Sequence, residues 1–246
     1  MRKITPNVLV LRTAGTNCDF ETDFAFQQEK ANVEKVHINR IIEKPSLLKK
    51  YQIMVFPGGF SYGDYISAGK ITANQILYKI RDAVEQFIKE KKLIIGICNG
   101  FQILVKTGLL PNFDGQMEQT TTLMDNDNGT FMCQWEKLRV NSNTIFTKNM
   151  PSEIELPIAH AEGKFYANDL ILKRLENNNR VVFRYVNNPN GSLNDIAGIV
   201  DETGQILGMM PHPERFVMKE QYYNKKKDVS TYGQFIFKNA VNYFAN

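Results

Sequence analysis

The feature that most constrains the fold is an apolar run that breaks into a glycine-rich turn around a cysteine, Leu93 to Gln102 (LIIGICNGFQ). The apolar part is typical of a short strand that is buried on both faces, and an amphipathic pattern follows the turn. A strand that turns sharply into a helix brings the residues two before and two after the turn close together, which explains Gly96 and Gly100. The stretch therefore predicts a nucleophile elbow with Cys98 at its tip.

Cys98 is a candidate nucleophile because of where such an elbow holds it. The N-terminus of the following helix offers unpaired N–H groups and the positive end of the helix dipole, which favour a thiolate over a thiol. The alternative is a structural cysteine at a glycine-rich turn of the phosphate-binding kind. The patterns G-x-x-x-x-G-K-[ST] and G-x-G-x-x-G are absent from this stretch, so the residues favour the nucleophile.

The composition indicates a cytoplasmic enzyme with a sizeable core. The 246 residues, of which 43% are hydrophobic, suit a single domain over 1–246. No apolar stretch is long enough to span a bilayer and no signal-peptide pattern follows Met1, so we expect no membrane association. Three widely spaced cysteines argue against a disulfide framework, and we interpret Cys18 and Cys133 as structural thiols.

The charge and the histidines exclude two further classes of function. The net charge is +4, but the lysines are spread along the chain, and we interpret the run Lys225 to Lys227 as a solvated loop rather than a nucleic-acid surface. The three histidines, His37, His160 and His212, are far apart, and the chain has no C-x-x-C or H-x-x-x-H pattern. We therefore expect no nucleic-acid partner and no protein-held metal.

Strand and helix signals alternate in the first half of the chain. The predicted elements are strands at Ile4 to Leu11, Val33 to Ile38, Ile53 to Phe56 and Leu93 to Ile97, and helices at Asp19 to Ala31 and Ile71 to Lys91. This alternation predicts an α/β fold with a flavodoxin-like, open, mostly parallel sheet and helices on both faces. Ligands bind outside the carboxyl ends of the strands in such sheets, which is where Cys98 would lie.

The second half of the chain predicts an antiparallel extension of that sheet. Two strand-like runs flank the polar turn Asp125 to Gly129 as in a hairpin. The predicted strands are Thr120 to Met124, Thr130 to Trp135, Val181 to Val186, Ile196 to Val200 and Ile206 to Met210. A final amphipathic helix is expected from Tyr232 to Phe244.

A cysteine nucleophile needs a base, and His212 is the best-placed histidine. It follows an apolar strand within Pro211-His212-Pro213-Glu214-Arg215, where two prolines fix the backbone. Residues two apart in an extended segment project to one side, so Glu214 can orient the imidazole. Cys98, His212 and Glu214 thus form a candidate triad; the alternative for the last two is a rigid surface turn.

Acyl transfer also needs N–H donors for the oxyanion that develops in the transition state. The N–H of Asn99, directly after the nucleophile, is one candidate. The second is Gly59 in Pro57-Gly58-Gly59-Phe60, which follows the predicted strand Ile53 to Phe56, and the missing Cβ atoms let this backbone approach a substrate. We expect Gly58 and Phe60 to border the substrate; the alternative is an ordinary turn that ends a strand.

The chain resembles the class I glutamine amidotransferases in three stretches, Gly96 to Gln102, Pro57 to Asp64 and Pro211 to Arg215. More narrowly, it is similar over its full length to the glutaminase subunits of phosphoribosylformylglycinamidine synthase. The narrower resemblance rests on GTNCD at 15–19, GFSYGDY at 59–65, PIAHAEG at 157–163 and NGS at 190–192.

The resemblance implies that glutamine is hydrolysed through a thioester on Cys98, with Gln102, His160 and Glu162 bordering the glutamine. The ammonia would pass to a separate large synthetase subunit, which carries ATP and Mg²⁺ and works with a small accessory subunit in purine biosynthesis. This chain itself would hold no cofactor. Two residues depart from the family pattern: Ala161 stands where glycine is usual, and Gln134 where a basic residue is common.

The residues alone leave three other functions open. The chain would be an amidotransferase subunit for another synthetase, a cysteine hydrolase or chaperone-like member of the same broad fold, or a catalytically silent regulatory subunit. The segment His212-Pro213-Glu214 argues against the second alternative, and an intact set of nucleophile, base and orienting carboxylate argues against the third.

Overall fold

The computed structural model of the chain describes residues 5–141, 144–225 and 229–245. The strands in these ranges are β1 (Asn7–Arg12), β2 (Asn32–His37), β3 (Ile53–Phe56), β4 (Leu93–Ile97), β5 (Thr121–Met124), β6 (Met132–Val140), β7 (Glu153–His160), β8 (Lys164–Ala167), β9 (Val181–Tyr185), β10 (Ile196–Val200) and β11 (Ile206–Met209). The helices are α1 (Asp19–Gln28), α2 (Ile38–Glu43), α3 (Lys70–Gln75), α4 (Arg81–Lys89), α5 (Asn99–Lys106), α6 (Asp169–Asn177) and α7 (Gln234–Ala245). One π-helical turn, Ile76–Ile80, joins α3 to α4.

Nine strands form one open sheet in the order β2-β1-β3-β4-β11-β10-β9-β6-β7. The first five of these strands pair in parallel and make up the parallel half. The remaining pairs, from β11–β10 to β6–β7, are antiparallel, and β10, β9, β6 and β7 make up the antiparallel half. The predicted α/β fold, with an open sheet and an antiparallel extension, is confirmed.

The parallel half is buried on both faces. Every residue of β3 and β4 is buried, which requires cover above and below the sheet. Helix α1 contacts α7, and α3 contacts α5, so the helices of this half fall into two packed groups. The continuous apolar runs of these strands follow from that environment, because a strand covered on both sides has no polar face.

Most predicted elements of the parallel half are present, with ends that differ by a few residues. Strand β1 begins at Asn7; Ile4, which the sequence assigned to it, lies outside the described residues. The predicted helix Ile71 to Lys91 consists of α3, the π-helical turn and α4 rather than one continuous helix. Lys226 and Lys227, from the predicted solvated loop, also lie outside the described residues.

The hairpin predicted around residues 125–129 is wrong. Strand β5 pairs with β8, and β6 pairs with β7 and β9, so the two strands that flank the turn have different partners. The Asn126 side chain explains the difference: it donates to the carbonyl of His160 at 2.9 Å and thereby fixes the turn against the end of β7. Strands β7 and β8 and helix α6 were not predicted.

The parallel register brings several loops to one edge of the sheet. Ile97 at the end of β4 is level with Met209 at the end of β11, and Phe56 at the end of β3 is level with Gly96. The residues that follow β1, β3, β4 and β11 therefore meet at the carboxyl ends of the strands. In the described part of the chain, no helix is long and apolar enough to cross a membrane.

Candidate active site

Cys98 lies at a sharp turn between β4 and α5 with a strained backbone, φ 52° and ψ −108°. The glycines on either side allow this geometry: a Cβ on Gly100 would collide with the carbonyl oxygen of Phe56, and one on Gly96 would lie 2.7 Å from the Gly100 carbonyl oxygen. The Cys98 N–H donates to the Met209 carbonyl at 2.8 Å, which ties the elbow to β11. The predicted elbow geometry is therefore present, with Cys98 as the residue before the helix.

His212 and Glu214 form a buried pair beside the elbow. Nδ1 of His212 lies 2.6 Å from Oε1 of Glu214, and the two residues are 1% and 0% exposed. The His212 N–H donates to the Pro157 carbonyl at 2.8 Å, so β7 holds the backbone of this segment. Nε2 of His212 has no hydrogen-bond partner among the described residues and stays available for proton transfer.

The surroundings of His212 favour its protonated form. Burial alone lowers the pKa of a histidine, but the Glu214 carboxylate and the Cys98 sulfur outweigh burial, with a further contribution from the Cys18 thiol. The pKa of His212 is therefore raised well above 6.5. An imidazolium beside Cys98 stabilises negative charge on the sulfur, which is the arrangement that makes a cysteine nucleophilic.

A cavity of about 240 Å³ opens onto these groups. Its walls come from the loops after β1 and β3, from the elbow and its helix, from β6, from the end of β7 and from the His212 segment. The lining residues are Asn17, Cys18, Gly59, Phe60, Asp64, Ala68, Cys98, Gln102, Phe131, Cys133, Ala159, His160, Ala161, Glu162, His212 and Arg215. The rings of Phe60 and Phe131 lie 6.4 Å apart, and both side chains are exposed.

The two predicted oxyanion donors lie at the ends of neighbouring strands. Asn99 is the first residue of α5, so its N–H has no partner within the helix. Gly59 has φ 140°, and a Cβ there would lie 2.7 Å from the Asn17 backbone nitrogen, so this turn requires glycine. Gly58 packs against the His212 ring instead of lining the cavity: its Cβ would lie 2.8 Å from Cε1 of His212.

The other predicted substrate-binding residues line the cavity. Nε2 of Gln102 donates to the Glu162 carbonyl at 2.6 Å, which connects α5 to the turn after β7. Ala161, the residue that departs from the family pattern, does not have a positive φ, so its methyl group causes no backbone strain. Gln134, the second departure, is exposed on β6.

His160 is buried at the end of β7 and stays neutral. Burial, together with the nearby positive charge of His212, lowers its pKa to about 4. Its Nδ1 lies 3.1 Å from Oδ1 of Asn126, and a Cβ on Gly163 would collide with its ring. Asn126 was not singled out from the sequence, because its role depends on a turn that folds back from a distant segment.

Cys18 and Cys133 were interpreted as structural thiols, but both line the cavity. Cys18 is buried next to His212 and accepts a hydrogen bond from Nη2 of Arg215 at 3.2 Å. Burial and the Glu214 carboxylate raise the pKa of the Cys18 thiol, although His212 and Arg215 oppose the shift. No local pattern predicts this contact, since 194 residues separate Cys18 from His212.

Cys18, His212 and Glu214 are also the group of described residues that offers three ligand atoms within 4.8 Å of one another. Two features of this group disfavour a cation. The guanidinium of Arg215 contacts the Cys18 sulfur, and the Glu214 carboxylate is already bonded to His212.

Comparison with known proteins agrees with this geometry. A family model described as the CobB/CobQ-like glutamine amidotransferase domain matches residues 5–244. A protein of Dehalococcoides mccartyi named phosphoribosylformylglycinamidine synthase subunit PurQ is 46% identical over 228 residues, with 87% of each chain covered. A Methanococcus maripaludis protein of the same name is 40% identical over 272 aligned positions, with 99% of each covered.

A solved structure extends the similarity to the whole fold. A chain in the structure of PurLQS from Thermotoga maritima superposes with a TM-score of 0.79 and 34% sequence identity, covering 98% of this chain and 99% of that one. The chain therefore belongs to the glutamine amidotransferase family, in the branch of the phosphoribosylformylglycinamidine synthase subunit PurQ.

Proposed function

We propose that this chain is the glutaminase subunit of a phosphoribosylformylglycinamidine synthase. It hydrolyses glutamine to glutamate and ammonia and delivers the ammonia to a separate ATP-dependent synthetase subunit, which makes formylglycinamidine ribonucleotide in purine biosynthesis. The observation that carries the proposal is the strained elbow at Cys98 next to the buried His212–Glu214 pair, at one cavity. The identity of the substrate and of the partner is inferred from the family to which the chain belongs.

The first half of the reaction forms a thioester. His212 takes the proton of Cys98, and the thiolate attacks the side-chain carbonyl carbon of glutamine. The N–H groups of Asn99 and Gly59 hold the oxyanion of the tetrahedral intermediate, and each well-aimed donor contributes about 2.7 to 4 kcal/mol. The intermediate collapses as the C–N bond breaks, and His212 gives its proton to the departing nitrogen, which leaves as ammonia.

The second half releases glutamate. His212, now neutral, takes a proton from a water molecule that attacks the thioester carbonyl carbon. The same two N–H groups hold the second oxyanion. The C–S bond then breaks, the proton returns to the sulfur through His212, and glutamate leaves. Glu214 keeps the imidazole oriented and stabilises its positive charge throughout the cycle.

Several further assignments belong to this proposal. The chain holds no cofactor, and the synthetase subunit binds ATP and Mg²⁺; a small accessory subunit completes the complex. Residues 1–246 form one amidotransferase domain, which works in the cytoplasm. Because a free glutaminase would waste glutamine, the synthetase is expected to align the Gly59 loop and so to raise glutaminase activity.

The test uses the reconstituted complex with its synthetase partner. Cys98→Ala should abolish synthesis from glutamine while leaving synthesis from added ammonia largely unchanged, because ammonia bypasses this chain. Cys133→Ala, which removes an exposed thiol from the same cavity, is the matched control and should keep both activities. Loss of both activities in Cys98→Ala would contradict this division of labour, and glutamine hydrolysis without any synthesis would assign the chain to another synthetase.

A further inference from the structure

The Asn99 side chain makes three hydrogen bonds in the interior of the site, apart from the role of its backbone. Its Oδ1 accepts from the Ser61 N–H at 3.2 Å. Its Nδ2 donates to Oδ1 of Asp64 at 3.0 Å and to Oε1 of Gln102 at 2.9 Å. Asn99 is 2% exposed, so its side-chain amide has little contact with water.

Two of these bonds join the elbow helix to the loop that carries Gly59. Ser61 and Asp64 belong to the loop between β3 and α3, and Asn99 is the first residue of α5. The backbone of Gly69, at the far end of the same loop, lies near the Asp64 carboxylate and opposes the rise of its pKa. The Asn99 side chain and Asp64 therefore form one link between the two segments that supply the oxyanion donors.

The loop needs this support because its backbone is strained. Tyr62, Asp64 and Ile66 have φ values of 55°, 53° and 76°, a region that side chains other than glycine and asparagine rarely adopt. Tyr65 and Ile66 are 75% and 86% exposed, so little packing holds this part of the loop. Contacts to the rest of the protein must hold it instead; of the two bonds to Asn99, the one from Ser61 is buried and the one to Asp64 is partly buried.

Asp64 is half-buried, and the charged side chains of Glu162 and Lys106 lie near it. Burial raises the pKa of Asp64, and the nearby Glu162 adds to the effect. The ammonium group of Lys106, at the end of α5, donates to Oγ of Ser67 at 2.6 Å and to the Ala68 carbonyl, both in the same loop. One end of α5 thus contacts the loop through Asn99 and the other through Lys106.

We propose that Asp64 and the Asn99 side chain are positioning residues that set the distance between the N–H groups of Gly59 and Asn99. The inference rests on the proposed function, because it presumes that these two groups hold an oxyanion. Neither side chain touches the reacting atoms. Their removal should therefore slow the chemical step while leaving the nucleophile and the binding of glutamine intact, since the oxyanion exists in the transition state and not in the bound substrate.

The experiment compares Asp64→Ala with Asp64→Asn in the reconstituted complex. Asn retains an oxygen that accepts from Nδ2 of Asn99, and Ala does not. We expect Asp64→Ala to lower the glutaminase kcat by about 10²-fold, the loss typical of a misplacement of about 1 Å. KM should stay within threefold, and Asp64→Asn should restore kcat to within about fivefold of the unsubstituted chain. Asp114→Ala, which removes an exposed carboxylate outside the cavity, is the matched control and should change nothing.

A second measurement separates positioning from general damage. Iodoacetamide alkylates Cys98 without forming an oxyanion, so its rate should be the same in Asp64→Ala and in the unsubstituted chain. The proposal is overturned if kcat stays within threefold, or if kcat and the alkylation rate fall together. If Asp64→Ala does not fold, the same two criteria apply to Asn99→Asp. This variant replaces the amide that donates to Asp64 with a second carboxylate, which repels Asp64. Loss of activity in Cys98→Ala without an effect at Asp64 would leave the proposed function standing and reject this inference.

Discussion

The two halves of the sheet contribute different parts of the site. The parallel half supplies Cys98, Gly59 and His212, each just after the end of a short strand whose residues are all buried. The antiparallel half supplies cavity walls: Ala159 and His160 from β7, and Cys133 from β6. In β6 and β7 buried residues alternate with more exposed ones, so one face of these strands is open.

In the proposed mechanism, this difference corresponds to a division between chemistry and binding. Residues after fully buried parallel strands have little freedom, and a nucleophile and its base need that precision. Side chains on a half-exposed sheet tolerate change more easily and are suited to contacts that set affinity. Substitutions of Cys98, His212 and Glu214 should therefore act on kcat, and substitutions in the antiparallel half on KM.

The largest effect is expected at Glu214. In Glu214→Gln the shape remains but the carboxylate charge that raises the pKa of His212 is lost, so that pKa falls and the imidazolium becomes scarcer at neutral pH. The glutaminase kcat should fall by about 10² to 10⁴-fold, the range for a general acid–base contribution. Glutamate release is the measurement.

The control for this variant is Glu21→Gln, which removes a partly exposed carboxylate bonded to Arg215 rather than to His212. It should remain within threefold of the unsubstituted chain. A Glu214→Gln protein with near-normal kcat would show that the buried pair does not take part in the chemistry. It would also contradict the assignment of catalysis to the parallel half.

A smaller effect, on KM, is expected at Glu162, which follows β7. Glu162 lines the cavity, and its carboxylate, which accepts from the Ala68 N–H at 3.4 Å, would attract the α-ammonium group of glutamine. Glu162→Gln should raise KM for glutamine by about 3 to 10-fold, or about 0.7 to 1.4 kcal/mol, with kcat within threefold. Glu153→Gln, at the exposed start of the same strand, is the control. A fall in kcat at constant KM would contradict the proposal that the cavity wall at Glu162 binds the substrate.

The smallest effect is a pH dependence of stability caused by His160. Its pKa in the folded protein is about 4, against 6.5 for an ordinary histidine. Between these values the unfolded chain binds a proton that the folded chain does not, so the free energy of unfolding falls as the pH is lowered from about 6.5 to 4.

Urea unfolding at pH 7 and pH 5 measures this contribution. Between pH 7 and pH 5 the free energy of unfolding of the unsubstituted chain should fall by up to about 2 kcal/mol more than that of His160→Gln, since one pKa unit corresponds to about 1.4 kcal/mol. NMR titration of the His160 ring should give a midpoint near 4. Equal losses in both proteins, with a midpoint near 6.5, would place the ring in contact with water.

The two halves also differ in how far the sequence predicts them. The buried apolar runs of β3 and β4 predict the two strands, and the glycines in the turn after each run predict the turns, so Cys98 and Gly59 could be identified from the sequence. Strand β7 was missed because Pro157 lies within it, and proline argues against a strand. Pro157 is tolerated here because β7 is an edge strand of the sheet. The Pro157 carbonyl accepts the N–H of His212.

Contacts between distant segments account for the remaining misses. Asp64 was part of a recognised stretch but received no role, because its bond to Asn99 depends on how the loop after β3 folds over α5. Asn126 and Cys18 reach the site from segments 34 and 194 residues away from His160 and His212, respectively. Local pattern carries no information about such pairs.

Three thiols line the cavity, and in the proposed mechanism one of them, Cys98, attacks glutamine. Labelling the chain in its complex with a glutamine-mimicking diazoketone, followed by peptide mapping, tests this directly. We predict one label per chain, on Cys98, at a rate that falls sharply in His212→Ala. A label on Cys18 or Cys133, or labelling of Cys98 that does not depend on His212, would contradict the account.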